Sequence, residues 1–258
     1  MRKSLAAVVL AALPLLAFAQ SAFDGVWKTD PKTDTAGSKP SQYVVKGGEY
    51  RCESCAPRIR VKADGTQYPL PGNPYIDFIS VKVVDDRVVE IVSRAGPNIV
   101  SSGRLVVAAD GKSMMREIST KEANGTTSRS SEKFVRVGPV PKGAHAVTGT
   151  WRFAELDHMS EETVTFKTAA GMVYMNASDG TGYEAQLDGK RAPMRNSPGY
   201  DTVSLKQKDR NTWEEVSYSA GKAIWVSTYV VMPNGETMKV TWEDRLRGSR
   251  GTYTMIKQ

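Results

Sequence analysis

Two cysteines, Cys52 and Cys55, stand as Cys-Glu-Ser-Cys and are the only ones in the chain. That spacing allows a redox pair, half of a zinc site or a local disulfide. A thioredoxin-type pair sits at a helix N-terminus, where the dipole lowers the thiol pKa. Here the flanks Glu49-Tyr50-Arg51 and Pro57 to Val61 read as strands. A zinc site needs two further ligands, and the chain holds no second cysteine pair. The reading taken is a structural disulfide, Cys52–Cys55, as an oxidising compartment favours. So short a loop adds little stability in the chain-entropy view.

Other chemistry has less support. The two histidines are His145 and His158, and neither recurs elsewhere in the repeat described below. A Ser-His-Asp arrangement needs a positioned base, and no nucleophile elbow, His-Glu-x-x-His or phosphate loop is present. Asp77/Asp201 and Glu90/Glu214 recur in both halves of the chain. Paired carboxylates can hydrolyse glycosides, but the simpler reading is turn-capping aspartates and solvated strand glutamates. Glu161-Glu162 reads as a charged surface pair. No catalytic residue, metal site or cofactor is expected, and the chain is read as a non-enzyme.

The elements that hold these residues are duplicated. Sliding the chain on itself by 124 residues aligns Phe23–Glu117 without gaps and gives 20 identities over 95 positions, about three times what unrelated segments give. Gly25-x-Trp27 falls on Gly149-x-Trp151, Asp64-Gly65 on Asp188-Gly189, Pro69 and Pro74 on Pro193 and Pro198, and Val106-Val107 on Val230-Val231. Gly47/Gly171 and Tyr50/Tyr174 are counted among the matches. The copies span 22–137 and 147–258, with 138–146, rich in proline and glycine, as a linker. The cysteine pair is not repeated, since Asn176 and Asp179 take those places.

Short β-branched and aromatic runs alternate with turn signals, and no amphipathic helix is evident. Lys46-Gly47-Gly48-Glu49, Ala63-Asp64-Gly65-Thr66, Asp110-Gly111, Asn124-Gly125, Asp188-Gly189 and Asn234-Gly235 are read as hairpin turns. Each copy then carries eight to ten strands in meander order, and closure into a barrel hides the edges. Alternation places Ile79, Val81 and Val83 inside, with Met114, Arg116 and Ile118 on a later strand. Their counterparts are Val203, Leu205, Met238, Val240 and Trp242. Two charges intrude on the inner face: Arg116 in the first copy and Glu215 in the second. A buried charge is costly unless paired. Each either reads a polar group of a ligand or reaches water near a strand end, and the second is the simpler explanation. Arg116, Glu215, Trp213 and Trp242 are the candidate ligand-binding residues, although inward aromatic and Met side chains are more often plain core.

The first residues read as a leader. Arg2 and Lys3 precede the apolar run Leu5–Leu16, and Ala17-Phe18-Ala19 suits a signal peptidase, which gives a signal peptide at 1–19. The run is too short to span a bilayer, and no later segment is apolar enough to do so. Without Arg2 and Lys3 the formal charge falls from +7 to +5, spread singly among acidic residues. Nucleic-acid binders cluster positive charge, so nucleic acid is not expected as a partner.

Gly-x-Trp opening each copy is also how lipocalins begin. The longer pattern is Asp-Gly, a proline segment from Tyr68 to Pro74, Asp-x-x-Ser-Val/Leu-Lys ending at Lys82, and Val-Val-x-x-Asp/Asn-Gly to Met114. It resembles a family of small exported bacterial lipocalin-like proteins without an assigned function, in a two-copy form. The resemblance implies a β-barrel and a periplasmic or extracellular location, and it carries no active site. Gly199 in place of Tyr75, and Arg195-Asn196 in place of Pro71-Gly72, depart from a shared loop role. The expectation is an all-β chain of two tandem antiparallel meander barrels, lipocalin- or calycin-like, with little helix. Each copy is expected to close on itself. Either a barrel holds a small, partly apolar molecule, or both are filled and serve as a structural or partner-binding envelope module; a hydrolase ranks last.

Overall fold

The computed structural model describes residues 21–33, 35, 39–139 and 142–258. The expected leader at 1–19 lies outside them. The described residues form twenty strands and one short 3-10 helix, Pro31–Thr33. The first eleven strands are β1 Gly25–Asp30, β2 Ser41–Lys46, β3 Glu49–Cys52, β4 Ile59–Lys62, β5 Asp64–Pro69, β6 Phe78–Val83, β7 Val88–Ala95, β8 Asn98–Val107, β9 Ser113–Lys121, β10 Thr127–Val137 and β11 Gly149–Met159. The rest are β12 Thr163–Ala169, β13 Met172–Ala177, β14 Gly182–Gln186, β15 Asp188–Arg195, β16 Thr202–Asp209, β17 Thr212–Ser219, β18 Lys222–Val231, β19 Thr237–Asp244 and β20 Ser249–Lys257. They form two ten-stranded antiparallel sheets, one closed into a barrel and one closed except between β4 and β5. The all-β, two-barrel expectation holds.

Which strands close each barrel differs from expectation. In barrel 1 the meander from β2 to β10 is completed by β11, which pairs with β10 and, at Gly149–Tyr43, with β2. In barrel 2 the run from β12 to β20 is completed by β1, which pairs Trp27 with Val164 of β12 and with Lys257 of β20. Each repeat therefore gives its opening strand to the other repeat's barrel. Both opening strands carry the same Gly-x-Trp pattern, so the exchange costs no mismatch in side-chain size. Residues 138–146, expected to link two domains, instead join two neighbouring strands of barrel 1. Successive strands therefore lie in different barrels at β1–β2 and at β11–β12.

The Gly-x-Trp strands are matched in detail. Trp27 and Trp151 are fully buried, and their indole N–H groups donate to the carbonyls of Phe23 (2.7 Å) and Val147 (2.9 Å). A cation from a neighbouring strand covers each ring: Lys257 Nζ at 5.2 Å from Trp27 and the Arg136 guanidinium at 4.0 Å from Trp151. Such contacts contribute about 0.5–2 kcal/mol. Gly25 and Gly149 sit at φ +133° and +138°, and a Cβ on Gly25 would lie 2.7 Å from Lys257 Cε. Glycine at the motif's first position thus leaves room for the cation.

The 124-residue spacing slips locally. Gly149 pairs with Tyr43 and Gly25 with Phe166, so Tyr43 and Phe166 are structural twins 123 apart. Cys52 and Met175 follow the same offset, as do Gly48 and Gly171 at φ +76° and +78°. The 124 spacing returns where Ile59 and Tyr183 pair back onto those strands. A one-residue slip moves every side chain of a strand to its other face. Tyr50 is accordingly in the core while Tyr174 is half-buried, and their apparent identity is not a structural one. Asp64-Gly65 and Asp188-Gly189 also differ from the hairpin tips expected: both pairs lie within strands, at register shifts against β6 and β16. The turns at 47–48, 110–111, 124–125 and 234–235 fall between strands as expected.

Candidate functional site

One end of each barrel is plugged. In barrel 2, Phe23 stacks on Trp213 at 3.7 Å and Phe166 meets the same indole edge-on at 5.7 Å. Aromatic pairs of this kind add about 0.5–1.5 kcal/mol beyond burial. In barrel 1 the place of Trp213 belongs to Val89 and that of Phe23 to Val147, both fully buried. His145 secures this end. Its Nδ1 accepts from the Val147 amide (3.1 Å), so Nε2 carries the proton donated to the Asp85 carbonyl at 2.6 Å. That histidine is a tether, not a general base.

The other ends are hollow. A cavity of about 910 Å³ opens at the mouth of barrel 2. Met175, Met194, Val164 and Tyr229 of barrel 2 line it, and Ile76, Ile99 and Ile118 of barrel 1 face it from across the gap. Barrel 1 has a smaller cavity of about 300 Å³, walled by Tyr43, Tyr50, Ile59, Ile79, Leu105 and Arg116. A cleft of about 570 Å³ between the barrels has Arg116, Glu132 and Phe134 on one side and Trp225, Trp242 and Arg247 on the other. A further groove of about 540 Å³ on the outer wall of barrel 1 carries His158, Glu90 and Arg104. The last two form a solvated ion pair at 3.6 Å.

Both inward charges have found partners. Arg116 bonds Glu132 through Nε at 2.8 Å and also through Nη2, and its guanidinium lies 5.0 Å from the Phe134 ring centre. Ladder pairing sets Arg116 opposite Glu132 and, in barrel 2, Val240 opposite Tyr253. An ion pair in one barrel therefore takes the place of an apolar residue and a tyrosine in the other.

Glu215 presents the converse. It is 6% exposed, and the Tyr183 hydroxyl donates to its Oε2 at 2.7 Å, with Tyr229 as a second hydroxyl partner. Ile91, Ile59 and Leu105 hold the matching places in barrel 1. Burial raises the Glu215 pKa above the ordinary carboxylate value, against the two tyrosine hydrogen bonds that lower it. Burial likewise drives the Tyr183 and Tyr229 phenols well above their usual value. At the rim, burial followed by the charges of Asp179 and Glu122 raises the pKa of Glu162.

Of the four residues singled out from sequence, Glu215 lines the barrel 2 cavity, Arg116 lines the barrel 1 cavity, and Trp242 lies in the cleft, stacked on Trp225 at 5.0 Å. Trp213 is packed at the plugged end, in the core. Sequence reasoning missed Tyr183 and Tyr229. Tyr183 stands in Gly182-Tyr183-Glu184-Ala185, where buried Tyr183 and Ala185 flank exposed Glu184, an alternation that would have put its hydroxyl inside. The recurring aspartates cap turns: Asp77 accepts from the Gly96 amide (2.8 Å) and Asp201 from that of Ala220 (2.6 Å). Cys52 and Cys55 form a disulfide in the mouth of barrel 1. Among the described residues no group of three or more His, Cys, Asp or Glu side chains is arranged to hold a metal, and no helix is long and apolar enough to cross a membrane. Comparison with family models, with curated proteins and with solved structures finds no match to this chain.

Proposed function

We propose that the protein binds a small, partly apolar molecule in the cavity at the mouth of barrel 2. The observation that carries this reading is a hollow of about 910 Å³ with a largely apolar wall and a buried carboxyl, Glu215, at its inner surface, backed by the Tyr183 hydroxyl. Ligand sites have this make-up: a concave apolar surface of about 300–1,000 Å³ with a few converging polar groups. The filled-module alternative suits barrel 1 better, where the cavity is small and the Arg116–Glu132 pair is satisfied internally. We also propose that the chain is exported and is a two-copy member of the bacterial lipocalin-like family it resembles. Support comes from the leader-like first nineteen residues and from a disulfide suited to an oxidising compartment.

The test is titration with the apolar fluorophore N-phenyl-1-naphthylamine. One equivalent should bind with a blue-shifted, enhanced emission, and Met194→Trp, which fills the cavity, should abolish it. No binding, or binding unchanged by Met194→Trp, would refute the reading.

A further inference from the structure

Two features of the barrel 2 cavity share one sign of charge, and a third is uncharged. The inner surface holds Glu215, whose neighbours are hydroxyls; the influences on it are burial and the Tyr183 and Tyr229 hydrogen bonds, with no basic side chain among them. The rim carries Glu122, Glu162 and Asp179, with Lys121 as the basic residue among the lining. Between rim and interior the wall includes Met175, Met194, Val164, Tyr229 and Tyr253, with the hydroxyls of Ser217 and Ser227. Barrel 1 is the internal control. There the inward charge, Arg116, is neutralised by Glu132 from the adjoining strand. In barrel 2 the position facing Val240 is a tyrosine, and the buried carboxyl is left to hydroxyl donors.

We infer that this cavity selects an amphiphile with a single cationic head, an alkyl or aryl ammonium, its head seated against Glu215 and its apolar body along the methionine and tyrosine wall. The inference rests on the ligand-binding reading above and adds the chemical class. A cation brought to Glu215 would form a charge-assisted hydrogen bond in a water-poor site, where such bonds are about twice as strong as neutral ones. Tyrosine rings in the lining are themselves good partners for a cation. The acidic rim raises the local concentration of cations and repels anions.

The experiment compares decylammonium, decanol and decanoate, each below its aggregation threshold, by calorimetry on the intact protein at neutral pH. The expected order is decylammonium at least tenfold tighter than decanol, with decanoate weakest. Glu215→Gln should bring decylammonium within about threefold of decanol. Decanol binding with no preference for decylammonium, or a preference that survives in a folded Glu215→Gln variant, overturns the cationic-head inference alone. If none of the three binds, the ligand-binding reading falls with it. The order of the three heads on the unaltered protein decides the matter even where the variant does not fold.

Discussion

The ring of Tyr75 covers Gly199, the residue 124 positions further on, and a Cβ on that glycine would overlap Tyr75 Cδ1 and Cε1. The two proline-bearing loops of the repeat thus meet each other where the barrels face, and Tyr75 packs edge-on against Tyr200 at 6.0 Å. Two tyrosines cannot both occupy this contact, so the departure seen at Gly199 in the sequence is the fit between the copies. On the same side, the Asn124 side-chain amide donates to the Ser178 carbonyl at 2.7 Å, which seats a turn of barrel 1 on a turn of barrel 2.

Gly199→Ala should therefore destabilise the protein by about 1–3 kcal/mol, the usual cost of overpacking. Adding Tyr75→Ala should recover part of that loss, because the obstructing ring is gone. Thermal melts of the two single variants and the double variant check this; strictly additive losses would show that the two positions do not couple.

Arg116→Val leaves Glu132, 18% exposed, without its partner, and should cost about 1–3 kcal/mol. Arg116→Val with Glu132→Tyr installs barrel 2's own pair, Val240 and Tyr253, and should restore most of the stability. At about 2–4 °C per kcal/mol the two melts are separable. A double variant no better than the single one would contradict the structural match between the barrels.

Glu215 makes stability depend on pH in a stated direction. Its folded pKa lies above the unfolded value of about 4.3. The stability that its protonated form supplies is therefore complete below that unfolded value and is lost as pH rises through the folded one. Glu215→Gln cannot ionise. Its melting temperature minus that of the unaltered protein should start small near pH 4, grow with pH and then level off. Tyr183 and Tyr229, which face Glu215, have raised pKa values and do not titrate in this range, and Glu162 contributes equally to both proteins. A difference that is flat or shrinks with pH would contradict the assignment.

Local features were legible where they depend on neighbours in sequence. Asn124-Gly125 and Asn234-Gly235 announce hairpins because their side chains and positive φ act within the turn. Arg116 and Glu215 could be found as charges on apolar faces. The β2–β3 register was not legible: Tyr50 matches Tyr174 in type, and only the ladder partners reveal the one-residue slip. The strand exchange was hidden for a related reason. Gly25-Val26-Trp27 and Gly149-Thr150-Trp151 are equivalent in shape, so nothing local says which barrel each will close. Alternation places Trp213 on the inner face but cannot tell that it lies at the plugged end, packed in the core rather than at the open mouth.

The exchange of closing strands is most directly tested by cross-linking within the intact chain. Lys28 is paired with Ile256 of β20. If each repeat closed its own barrel, Lys28 would lie beside Val135, whose partner is Arg152 of β11. Lys28→Cys with Ile256→Cys should form a disulfide under mild oxidation, read by mass spectrometry of the unreduced digest, whereas Lys28→Cys with Val135→Cys should stay as thiols. The opposite result, a bond to position 135 and none to 256, would contradict the fold described here.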